Sequence, residues 1–160
     1  MIRHISESGE DAGEIYIEKP TGLAYSRKTD TLWVLTYTQL INMEKDGTIL
    51  LCLDVQINGQ DQLFLNKSET IMYFTAGTNY KGTNYVYSAD LSSFSVKKVY
   101  CLADSCAVEG IYFDSQAMYI LNDGYYHSGK YPSNQVNIYM FKGEESKTDA
   151  GTTAKIQFKK

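Results

Sequence analysis

Thr31-Leu32-Trp33-Val34-Leu35-Thr36-Tyr37 is a nearly unbroken apolar run of strand length. A run of this kind suits a strand buried on both faces, inside a stack of sheets. Two other stretches repeat it: Thr70-Ile71-Met72-Tyr73-Phe74-Thr75-Ala76 and Ala117-Met118-Tyr119-Ile120-Leu121-Asn122-Asp123. Each follows a shorter apolar segment and a polar turn. Gly22 to Ser26 leads through Arg27-Lys28-Thr29-Asp30, Gln62 to Leu65 through Asn66-Lys67-Ser68-Glu69, and Gly110 to Phe113 through Asp114-Ser115-Gln116. That order, strand then polar loop then buried strand, predicts three hairpins.

Two more strand-like pieces follow each hairpin. After the first come Gln39 to Met43 and Thr48 to Leu53, joined through Asp46-Gly47, a dipeptide that favours a type I′ turn. After the second come Tyr85 to Ser88 and Ser95 to Tyr100. After the third come Gln135 to Met140 and Ala154 to Phe158. Four antiparallel strands in roughly 40–47 residues are the signature of a propeller blade. The sequence therefore predicts an all-β chain of three propeller-like four-stranded blades, over about 20–56, 60–101 and 108–160. A β-sandwich of short strands is the alternative that composition leaves open. Residues 1–13 read as an acidic, Gly- and Ser-containing arm, and 14–160 as a single β domain whose first strand is Glu14 to Glu18.

The pattern Gly22-Leu23-Ala24-Tyr25, polar turn, Thr31-Leu32-Trp33-Val34, then a hairpin around Asp46-Gly47, resembles the repeat of bacterial NHL-like and SdiA-regulated-type β-propellers. Glu109-Gly110-Ile111-Tyr112-Phe113 and Met118 to Asp123 resemble the first two strands of such a blade. The resemblance spans residues 20 to about 141, and the middle copy lacks the Gly opener. It implies a propeller fold, which hosts many functions. Propellers close with about four to eight blades, so three leave two open blade faces. The expectation is a homo-oligomer or a subunit of a larger protein assembly, such as a bacteriophage virion or tail component.

Composition narrows the function classes. With 15 Lys+Arg against 19 Asp+Glu, the 160-residue chain carries a formal charge of −4. Nucleic-acid binding as the main task needs a basic surface instead. No apolar run approaches the ~20 residues of a membrane span. Met1 to Glu10 is polar and acidic, unlike a signal peptide, and the localisation read from this is cytoplasmic or virion-associated. The three cysteines, Cys52, Cys101 and Cys106, read as reduced, packed thiols.

The resemblance implies that ligands bind where strands lead into a central channel or the loops around it. Glu109, Asn122 and Asp123 fall there. Their oxygens suit calcium, which takes about 6–8 oxygen ligands, and lactonase-like propellers carry a metal on such residues. A metal-dependent hydrolase or lactonase is accordingly one alternative function. The favoured reading of Asn122-Asp123-Gly124 is a turn with Asx hydrogen bonds. Glu109 and Asp123 also present the two carboxylates that glycoside hydrolysis needs. His4 lies in the arm, and His127 beside Ser128 lacks any nucleophile-elbow pattern. Two loops share a Tyr, Gly, Asn and Thr/Ser chemistry: Thr75 to Tyr85, with Tyr80 and Tyr85, and Gly124 to Tyr131, with Tyr125, Tyr126, His127 and Tyr131. That is the composition of adaptable recognition loops. It gives the other alternative, a carbohydrate-binding module with a glycan ligand. The leading expectation is a non-enzymatic binding or assembly module without a required cofactor.

Overall fold

The computed structural model describes residues 1–55, 61–75, 84–102, 108–122 and 135–140, the last segment and Asn122 as backbone only. The described residues are all-β and contain no helix. The strands are β1 (Ile2–Ile5), β2 (Asp11–Ile15), β3 (Pro20–Ser26), β4 (Thr31–Thr36), β5 (Gln39–Met43), β6 (Ile49–Asp54), β7 (Asp61–Leu65), β8 (Ile71–Thr75), β9 (Asn84–Asp90), β10 (Val96–Leu102), β11 (Val108–Phe113), β12 (Ala117–Asn122) and β13 (Gln135–Met140). They form four antiparallel sheets. Three are meanders in chain order: β3-β4-β5-β6, β7-β8-β9-β10 and β11-β12-β13. The fourth is the hairpin β1-β2. Ala154 to Phe158, expected as the last strand of the third sheet, lie outside the described residues.

The first strands of the three meanders lie side by side, β7 between β3 and β11. Their loops share one end. Glu69, after β7, accepts the backbone N–H groups of Arg27 at 3.1 Å and Lys28 at 3.0 Å, after β3. The Ser26 hydroxyl donates to the same carboxylate at 2.7 Å. Gly22 allows the close approach: a Cβ there would stand 2.7 Å from Leu63 Cβ and 2.9 Å from Leu63 N.

Strand alternation puts each sheet's two faces into different cores. Trp33, Leu35 and Leu40 of the first sheet pack on Met72, Phe74 and Ala89 of the second. The second sheet's other face, with Tyr73, Val86 and Leu102, packs on Val108, Met118 and Ile120 of the third. Leu32, Met72 and Met118 therefore correspond, and each faces the sheet before it. Trp33 and Tyr73 correspond and face the sheet after. This shifts the middle copy by one residue from the sequence match, because Thr31 corresponds to Ile71 and not to Thr70. Ser26 pairs with Thr31 and the Asn66 N–H bonds the Ile71 carbonyl, so four residues, 27–30 and 67–70, separate the paired ends in both hairpins, and a one-residue slip would turn every side chain to the wrong face. Trp33 is buried as expected, whereas Tyr73 and Tyr119 are half-buried.

Three further expectations are corrected. The segment read as an arm, 1–13, forms β1 and part of β2. The Gly9 turn closes them, with Gly9 at φ +84 and its N–H on the Ser6 carbonyl at 2.9 Å. Ile2, Ile15 and Ile17 cover Leu32, Val34, Ile41 and Met43, the outer face of the first sheet. One of the two blade faces expected to be open is thus capped by the chain's own start. Asp46-Gly47 does not make a type I′ turn. Gly47 alone has positive φ, at +96, and its N–H reaches the Glu44 carbonyl at 3.1 Å, so the turn centres on Lys45-Asp46 and Gly47 follows as a left-handed residue. Cys52 is an exposed free thiol on the outermost strand of its sheet, while Cys101 is half-buried.

Candidate functional site

Where the loops of the second and third sheets meet, β7, β8, β10 and β11 enclose a cleft of about 960 Å³. Its walls are aromatic: Phe64, Tyr73, Tyr100, Tyr112 and Phe113. Tyr73 stacks on Phe113 at 4.4 Å between centroids, and Phe64 stands edge-on to Tyr112 at 5.3 Å. Offset and edge-to-face pairs of this kind are the favoured aromatic arrangements. Tyr112 remains 56% exposed.

The rim is polar and held rigidly from both sides. On one side Asn66 Oδ1 accepts the N–H groups of Thr70 at 2.9 Å and Ile71 at 3.0 Å, and its amide donates to the Ser68 hydroxyl at 3.0 Å. On the other, Asp114 accepts the N–H groups of Gln116 and Ala117, each at 2.7 Å, and the Tyr119 hydroxyl at 2.9 Å. Those donors hold the Asp114 carboxyl below its usual range, led by the Gln116 N–H, and the bond to Asp114 raises the Tyr119 phenol. Burial raises the phenols of Tyr73 and Tyr100. All these groups keep their pH 7 charge states. Among the described residues, the Lys67 ammonium and the Tyr73 and Tyr112 hydroxyls make no hydrogen bond.

The residues singled out from sequence are placed as follows. Tyr80, Tyr125, Tyr126, His127, Tyr131 and Asp123 lie outside the described residues. Tyr85 sits on β9 under the Lys98 ammonium, 3.7 Å from its ring centroid. Strand alternation puts it with Tyr87 on the face toward the first sheet, away from the cleft. Glu109 is exposed, at the bulge between Val108 and Gly110. The Cα pairing of Val108 with Asn122 brings both to one end of the third sheet. Among the described residues, no group of three or more His, Cys, Asp or Glu could hold a metal ion. No helix among them is long and apolar enough to cross a membrane.

The cleft was not legible in the sequence. Its five rings come from four strands of two sheets, and only the high count of 14 Tyr hinted at them. The chain matches no model of a known protein family, and no curated protein shows significant similarity to it.

Proposed function

We propose that the chain is an arc of propeller-like blades acting as a non-enzymatic binding and assembly module, completed by a further β-sheet from a second copy of the chain. The observation that carries this reading is the repeated orientation of the sheets. Each meander turns the Leu32, Met72, Met118 face backward and the Trp33, Tyr73 face forward, with first strands adjacent, as blades around an axis do.

Two apolar patches mark the ends of the arc. On the first sheet the capping hairpin leaves Leu23 and Tyr25 of the innermost strand about half exposed. On the third sheet Leu121 is about half exposed on the forward side. In a closing ring these patches would meet a neighbouring blade. A Leu121→Asp variant tests the reading by sedimentation at micromolar concentration. The expected result is loss of an association that the parent chain shows. Unchanged sedimentation of parent and variant as monomers overturns it.

A further inference from the structure

We propose that the cleft between the second and third sheets is a saccharide-binding site, in which a pyranose ring lies against Tyr112 and its hydroxyls bond Lys67 and Tyr73. The inference does not rest on the assembly reading: every residue it uses lines the cleft from one chain. Three observations carry it. The first is size: about 960 Å³ lies within the range of ligand pockets, ~300–1,000 Å³. The second is the wall. Tyr112 offers a large exposed ring beside Phe64, and aromatic planes match the C–H face of a pyranose. The third is the set of unsatisfied polar groups. Two phenol hydroxyls and one ammonium line the cleft without partners, while the rim acceptors Asn66 and Asp114 are already occupied by their own loops.

These features discriminate among ligand classes. An apolar ligand would desolvate the Tyr73 and Tyr112 hydroxyls and the Lys67 ammonium without replacing their hydrogen bonds to water, a penalty that weakens binding. A nucleic-acid strand also stacks on aromatics, but it needs a basic track, and among the described residues Lys67 is the sole cation lining this cleft, in a chain with net charge −4. A saccharide uses both the ring face and the donors.

The test is saturation-transfer NMR and calorimetry of the full chain with cellohexaose, maltohexaose, chitohexaose and sialyllactose, alongside a thymidine hexanucleotide. At least one sugar is expected to bind, and Tyr112→Ala to weaken it tenfold or more. Tyr112→Phe should retain most of the affinity, and Tyr85→Ala, on the opposite face of the sheet, should leave it unchanged. Lys67→Ala, an exposed loop change, serves as the second variant should Tyr112→Ala fail to fold, and it too should weaken binding. Binding of the hexanucleotide alone, binding of none of the panel, or sugar binding indifferent to the folded cleft variants overturns the proposal.

Discussion

Gly22 lies directly against Leu63 of the second sheet, and the missing side chain is what allows it. A Cβ would meet the backbone and Cβ of Leu63, neither of which can swing aside. Gly22→Ala should therefore cost about 1–3 kcal/mol, as overpacking does. Gly110→Ala meets only the Leu121 side chain, Cβ at 3.2 Å and Cδ2 at 3.6 Å, and should cost less. Urea titration of both variants checks the order, and an equal effect would remove Gly22 as the sheet spacer. Sequence matched the two glycines as openers of equivalent strands, and the pairing of Gly22 with Leu35 and Gly110 with Leu121 agrees. It could not show that one faces a neighbouring sheet and the other its own hairpin. At the same scale, Asp90 accepts the Ser92 hydroxyl at 2.6 Å and the N–H groups of Ser92 and Ser93, each at 2.9 Å. With the Ser92 hydroxyl leading, these bonds lower its pKa to about 2. A depressed carboxyl stabilises the fold above its unfolded value and loses that contribution as pH falls through the folded value. Asp90→Asn should flatten part of the stability decline between about pH 4 and pH 2, measured by thermal melts. An unaltered acid profile would contradict the assignment.

At the scale of elements, the β1-β2 hairpin acts as a lid on the first sheet. Ile17 is 9% exposed and lies against Val34, Ile41 and Met43. Ile17→Ala should cost about 2–4 kcal/mol by leaving a cavity and should increase binding of a hydrophobic dye. A neutral outcome in denaturant melts would mean that the hairpin merely rests on the sheet. The twelve-residue stretch from Ile2 to Gly13 was opaque in sequence for a physical reason. Arg3, His4, Glu7, Glu10 and Asp11 leave few apolar residues among them, so the strand period is weak, and only the distant aliphatic face of β4 and β5 gives Ile2 something to bury against. The central strands were legible because they are buried on both faces. β4 is buried at five of its six positions, and its apolar run declares it without reference to any neighbour. The clamp between loops is likewise a long-range product. Glu69 looks like an ordinary turn acid until β7 is laid beside β3.

For the molecule as a whole, three meander sheets stack in one sense and leave unlike ends. The start is partly capped by β1-β2, and the forward face of the third sheet carries Leu121 about half exposed. The all-β character and the strands of the three meanders could be read from the chain because strand runs and turn residues are local signals. The aromatic cleft and the capped face could not, because each is assembled from distant segments. Burying a few hundred Å² of apolar surface at each end is worth roughly 10 kcal/mol in gross terms, at about 25 cal/mol per Å² and before the cost of association. The mass of the native particle, by sedimentation equilibrium of the chain at micromolar concentration, tests the incomplete arc most directly. The account predicts a species heavier than the 18.1 kDa chain, and a stable monomer over that concentration range would contradict it.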